Sequence, residues 1–119
     1  MKYLFLCYPG CTTCKKAKAW LDSSKVAYQE RNIKEEEPSE AELTAWLQKS
    51  SYPSKRFFNT SGRLYRELGL KDKLKNMSEA EQIKLLATDG MLVKRPILVG
   101  KDTVLVGFKE TEWEEAIKV

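Results

Sequence analysis

Apolar residues follow two patterns along this chain: short continuous runs and stripes at helical spacing. Tyr3-Leu4-Phe5-Leu6 is such a run and predicts a buried first strand over Lys2–Cys7. Tyr8-Pro9-Gly10 breaks it. Thr12–Ser24 then reads as a helix, with Ala17, Leu21 and Trp20 turned inward and the lysines outward. Val26–Ile33 is a second strand. Because a helix separates the two strands, they are expected to lie parallel, joined by a right-handed crossover.

Lys34-Glu35-Glu36-Glu37 is a solvated turn. Pro38 and Ser39 open a helix whose Leu43, Trp46 and Leu47 share one face. Ser50–Ser54 ends it, and the stretch up to Gly62 has no clear period. A short helix with Leu64, Tyr65 and Leu68 inside stops at Gly69. Ser78 and Glu81 form a capping-box pattern that opens a helix over Glu79–Ala87, with Ile83, Leu86 and Ala87 inward. Asp89-Gly90 ends that helix. Pro96–Val99 and Thr103–Val106, joined by Gly100-Lys101-Asp102, predict an antiparallel hairpin. Glu110–Lys118 is a closing helix with Trp113, Ala116 and Ile117 on one side. The order β-α-β, several helices, then β-β-α predicts an α/β fold with a mixed four-stranded sheet flanked by helices. That layout resembles the thioredoxin-like fold. One domain would span residues 1–119, with a helical insertion at about residues 39–87.

Composition narrows the class. Hydrophobic residues make up 42% and charged residues 32%, which fits a folded globule and not a disordered chain. No apolar run is long enough for a membrane span, and the N-terminus lacks a small-residue cleavage site. The expectation is therefore a cytoplasmic protein with no membrane partner. Three cysteines, an odd number, argue against a secreted disulfide scaffold. The net charge of +4 is too small to argue for direct nucleic-acid binding. The absence of histidine removes Ser-His, Cys-His and His-metal chemistry and leaves thiols, carboxylates, lysines and tyrosines.

The chemistry centres on Cys11-Thr12-Thr13-Cys14, a Cys-x-x-Cys after a strand and at the start of a helix, which is a redox-motif signal. A nucleophilic sulfur must be a thiolate, and the free N–H groups of a helix's first turn favour negative charge there. Cys14 falls one turn along the same face and can close a disulfide with Cys11. In that scheme Cys11 attacks, Cys14 resolves, and the N–H groups of Thr12 and Thr13 stabilise developing charge. Half a zinc site or two inert thiols are the alternatives. Zinc normally takes four ligands, and only Cys7 remains, so no metal is assigned. Cys7 itself reads as a small buried residue. Arg95, before Pro96, can present a fork to an oxyanion or carboxylate, or be an ordinary surface arginine. Arg56, Arg63 and Arg66 each read as solvated charges.

Taken together, Tyr8–Ala17, Glu30-Arg31-Asn32-Ile33, Phe57, Asn59-Thr60-Ser61-Gly62, Tyr65–Leu70 and Lys94-Arg95-Pro96-Ile97 resemble the ArsC/Spx family, the arsenate-reductase-like branch of the thioredoxin-like fold. The resemblance covers nearly the whole chain and is strongest to the uncharacterised ArsC-like branch. It implies a cis bond between Arg95 and Pro96, with Pro96 shaping a substrate-docking edge. It implies catalytic roles for Cys11, Cys14 and Arg95. It also implies thiol–disulfide reduction of glutaredoxin or arsenate-reductase type, with no bound cofactor, glutathione as co-substrate, and glutaredoxin or thioredoxin as partner. Two family arginines that hold the oxyanion in arsenate reductases fall here at Asn59 and at about Gly107. The Spx-type regulators of the family imply an alternative, a redox switch that binds the RNA polymerase α subunit. A glycine of theirs that serves that contact aligns with Pro53, and their longer tail has no counterpart after Val119.

Overall fold

The computed structural model describes residues 2–117. In chain order the elements are β1 (Tyr3–Cys7), α1 (Thr12–Ser23), β2 (Tyr28–Asn32), α2 (Glu40–Lys49), α3 (Arg63–Glu67), α4 (Leu70–Lys73), α5 (Glu79–Leu86), β3 (Ile97–Val99), β4 (Val104–Val106) and α6 (Glu110–Ile117). Short 3-10 turns lie at Ser54–Phe57, Leu74–Asn76 and Gly90–Leu92. Lys118, expected in the last helix, lies outside the described residues. The chain forms two compact units, one made of Met1–Asn32 with Arg95–Val119, the other of Ile33–Lys94.

The first unit holds a mixed four-stranded sheet in the order β2-β1-β3-β4. β1 runs parallel to β2, with Tyr3 opposite Tyr28 and Cys7 opposite Asn32. It runs antiparallel to β3, with Phe5 opposite Leu98. β3 and β4 make the hairpin, Ile97 facing Val106. α1 buries Cys14, Ala17 and Leu21, spaced three and four residues apart, in a core with Phe5, Leu98, Leu105 and Trp113. Trp113 is fully buried, and its indole N–H donates to the Gly107 carbonyl at 3.1 Å. The rings of Phe5, Trp20 and Phe108 meet it edge to face. This is the thioredoxin-like fold that the element order predicts.

α1 stops one residue short of the expected Ser24. Lys25 takes φ 57, the Lys25 N–H donates to Asp22 and the Val26 N–H donates to Leu21. That is a Schellman ending, with Lys25 where glycine is usual. Val26 packs against the core that holds Leu21, so β2 begins later than expected, at Tyr28.

The second unit is helical. Ser39 and Ser78 each close a capping box, with Glu42 and Glu81. Leu43, Trp46 and Leu47 of α2 and Ile83 and Leu86 of α5 are buried, as are Phe57 and Phe58. The buried Gln82 carboxamide is fully engaged: it accepts from Ser54 at 2.6 Å and donates to the Leu74 and Met77 carbonyls at 3.2 and 3.3 Å. Leu68, expected inside, is instead 39% exposed. Gly69, at φ 64, turns the chain left-handed, and Leu70 and Leu74 take the buried positions. Ala116, expected on the inner side of α6, is also exposed.

Candidate functional site: a thiol pair at a helix start

β1 delivers the chain to Tyr8, and a tight turn follows in which the Cys11 N–H donates to the Tyr8 carbonyl at 2.9 Å. Cys11 then sits at the N-cap of α1, in extended backbone at φ −90 and ψ 120, and is half-buried. This placement turns the open N–H groups of the first helical turn toward its sulfur. Burial alone would raise the Cys11 pKa. The Cys14 N–H, the Cys14 thiol, the Arg95 guanidinium and the Thr13 N–H together outweigh it and hold Cys11 below the ordinary thiol value.

Cys14 is in the opposite situation. It is 3% exposed, within the core face of α1, and burial pushes its thiol up to about 12. The Tyr8 N–H donates to its sulfur at 3.4 Å, which offsets only part of that rise. The two cysteines are unbridged here, with the Cys14 thiol on the Cys11 sulfur. One turn of helix thus carries an ionisable sulfur at its open end and a protonated one behind it.

Arg95 and Pro96 enter from the start of β3. Their peptide bond is cis. The Pro96 carbonyl accepts from the Gly107 N–H at 2.8 Å, which ties the segment to the end of β4. The Arg95 guanidinium lies over the Tyr8 ring, 5.4 Å from its centroid. Thr12 and Thr13 open α1 and are exposed; the N–H groups that reach Cys11 are those of Thr13 and Cys14.

Sequence reasoning did not see Tyr8 as a platform, nor Glu30 and Lys18 as neighbours of a thiol. Cys7, 4% exposed, donates to Glu30 Oε2 at 3.5 Å, and Glu30 Oε1 pairs with Lys18 Nζ at 2.8 Å. Burial and the Glu30 carboxylate push Cys7 up to about 12. Lys18 holds the Glu30 carboxyl below the usual carboxylate range. Cys7, Cys14, Lys15, Lys18 and Glu30 line a cleft of ≈ 210 Å³. The signal was the strand register: Glu30 stands opposite Phe5, two residues from Cys7.

A cysteine of lowered pKa at a helix start, a buried cysteine of raised pKa three residues on and a cis-proline opening β3, on this sheet, define a thioredoxin-like protein with a Cys-x-x-Cys pair. Residues 6–116 match the ArsC family, and the chain belongs to that family. It is 52% identical over 115 residues to the uncharacterised protein YusI of Bacillus subtilis (strain 168), covering 97% of this chain and 98% of YusI. It is 32% identical over 112 residues to the global transcriptional regulator Spx of Streptococcus mutans, covering 94% of this chain and 80% of Spx. The crystal structure of an ArsC-family-related protein from Bacteroides fragilis is 55% identical and superposes with a TM-score of 0.94 over 97% of each chain.

Proposed function

We propose that the protein is a cytoplasmic thiol–disulfide reductase of glutaredoxin and arsenate-reductase-like type. The observation that carries this reading is the opposed pair of thiol pKa shifts, Cys11 lowered and Cys14 raised to about 12. A reductase of this kind needs one sulfur that attacks and a second that waits protonated. The Cys11 thiolate attacks one sulfur of a substrate disulfide and expels the other as a thiolate. Cys14 then gives up its proton to solvent and attacks the Cys11 sulfur of the mixed disulfide. The second substrate thiol leaves, and the Cys11–Cys14 disulfide holds the two-electron oxidation. Two glutathione molecules, or a glutaredoxin or thioredoxin partner, return the pair to dithiol. Arg95 and the first-turn amides of Thr13 and Cys14 lower the energy of the charged sulfur in each step. Pro96 shapes the edge where a substrate backbone docks.

Arsenate is a less suitable substrate for this chain than a disulfide. The positions where arsenate reductases of this family carry further arginines hold Asn59 and Gly107, and Gly107 has no side chain to offer. The test is turnover of a glutathione mixed disulfide with glutathione as reductant. Replacing Cys11 by Ser abolishes it; retained turnover contradicts the mechanism. Replacing Cys14 by Ser separates a dithiol route, which stops, from a glutathione-dependent monothiol route, which continues.

The likeness to Spx supports a second reading, a regulator whose thiol pair switches its affinity for the RNA polymerase α subunit. Pro53, where those regulators carry a glycine, counts against it. Absence of binding to the C-terminal domain of polymerase α in both redox states removes this reading.

A further inference from the structure

The thiol pair has a third cysteine behind it. Cys7 ends β1 on the face that Phe5 shares, and both belong to the core that receives Cys14 from α1. The Cys14 sulfur accepts from the Tyr8 N–H at 3.4 Å, and that nitrogen belongs to the peptide that follows Cys7. Two covalent bonds separate it from the Cys7 Cα, so the Cys14 sulfur is at most about 6 Å from that atom. Disulfides join Cα atoms roughly 4.4–6.8 Å apart, so the spacing is on the scale that such a bond spans. Cys7 and Cys14 line the same ≈ 210 Å³ cleft, and neither is bridged.

The surroundings of Cys7 suit thiol exchange. Its S–H donates to Glu30 Oε2 at 3.5 Å, so its proton already faces an acceptor. Lys18 Nζ, 2.8 Å from Oε1, holds that carboxylate, and both residues line the cleft. A cysteine that only fills space in a core has no use for a carboxylate.

We propose that Cys7 is a third redox thiol, which takes over the disulfide as Cys7–Cys14 and returns Cys11 to the thiolate. The proposal rests on the reductase reading for the origin of that disulfide. Cys7 passes its proton to Glu30 and attacks the Cys14 sulfur of the Cys11–Cys14 disulfide. The Cys7–Cys14 bond forms, the Cys11–Cys14 bond breaks, and its electron pair leaves on Cys11. Glu30 releases the proton to water, and no electrons enter or leave the protein. Cys11 is the better leaving group of the two outer sulfurs. The helix start and Arg95 stabilise its thiolate, while burial and Glu30 disfavour that of Cys7. The oxidised bond thus moves to two sulfurs that are 4% and 3% exposed, and a reactive sulfur stays open at the surface. The oxidised protein captures a second disulfide there, and reduction returns by the reverse exchange through Cys11.

Two experiments test this. In the first, Cys11→Ser protein, which has no Cys11–Cys14 disulfide to form, is treated with diamide. Monomer lighter by two hydrogens, with neither thiol open to N-ethylmaleimide after unfolding, is expected; the Cys7→Ala, Cys11→Ser control shows no such species. In the second, the parent protein is oxidised with glutathione disulfide and quenched into mildly acidic urea with N-ethylmaleimide, where exchange is slow. Molecules with an internal disulfide and no glutathione are selected by mass, and their single labelled cysteine is located by fragmentation. Label at Cys11 is expected alongside label at Cys7. Cys11→Ser protein that keeps both thiols under diamide, or label at Cys7 alone in the oxidised parent, would each overturn the proposal. A parent protein that loses no thiol to glutathione disulfide contradicts the reductase reading instead, and the Cys11→Ser experiment alone then decides the role of Cys7.

Discussion

The Arg95 guanidinium rests on the Tyr8 ring, 5.4 Å from its centroid, and its charge reaches the Cys11 sulfur. Gly10 lies close to the same ring: a Cβ there would come within 2.9 Å of it, so a side chain at position 10 would displace Tyr8. Arg95→Gln therefore moves the pH midpoint of Cys11 alkylation upward and slows reaction with iodoacetamide at pH 7. Tyr8→Leu removes only the platform and acts in the same direction by a smaller amount. Rates of alkylation across pH, followed by mass spectrometry, measure both.

The three thiols also titrate apart. Below pH 9 native protein consumes one equivalent of iodoacetamide, at Cys11, while Cys7 and Cys14 react only after unfolding. Peptide mapping of the alkylated protein checks this.

The same shifts set a pH dependence of stability. Cys7 and Cys14 have folded pKa values raised from 9.0 to about 12, and Tyr28 is raised from 10.0 to about 12. Groups kept neutral by the fold contribute their stability in full below their unfolded pKa and lose it as pH rises toward the folded value. The Cys11 shift has the opposite sign: its contribution is present above the ordinary thiol value and falls away as pH drops through its lowered pKa. Between pH 9 and 12 only the losses remain. The reduced protein therefore loses stability steadily across that window in urea titrations, and Cys7→Ala makes the decline shallower.

Lys25 holds a left-handed conformation at the end of α1. A side chain there costs about 1 kcal/mol that glycine does not incur. Lys25→Gly is expected to stabilise the protein by about 1 kcal/mol and raise Tm by roughly 4 °C. Thermal unfolding followed by circular dichroism reads the change.

Trp113 gives the opposite case. It is fully buried, meets three aromatic rings and hydrogen-bonds the Gly107 carbonyl. Trp113→Ala costs about 3–5 kcal/mol, as large cavities in packed cores do. Equilibrium urea unfolding measures it, with the midpoint shifting well below that of the parent.

The sheet unit was legible because its signals are local and agree with one another. Tyr3–Leu6, the helix stripe of Ala17 and Leu21, and the turn at Gly100-Lys101-Asp102 each specify one element. The Cys-x-x-Cys then falls at a helix start by position alone. Helix endings were harder to read. Nothing in Ser24-Lys25-Val26 advertises a left-handed lysine, because Gly, the usual marker, is missing; the Leu21–Val26 core contact makes the stop. In the helical unit Gly69 marked a stop, but the chain continues directly into Leu70–Lys73, and Leu70 and Leu74 displace Leu68 from the core. Arg56 read as a solvated charge although the ring it lies over, Tyr52, is only four positions away. Tyr8 read as part of a turn because its partner, Arg95, is 87 positions away.

The central claim is that Cys11 exchanges disulfides and Cys14 resolves them. The measurement that tests it most directly is a trap with Cys14→Ser protein in cell lysate, where mixed disulfides on Cys11 have no internal thiol to release them. Glutathione or substrate proteins that elute only with reductant, and are missing from a Cys11→Ser control, are the predicted result. Polymerase subunits that co-purify with or without reductant, with no adduct on Cys11, would contradict the account.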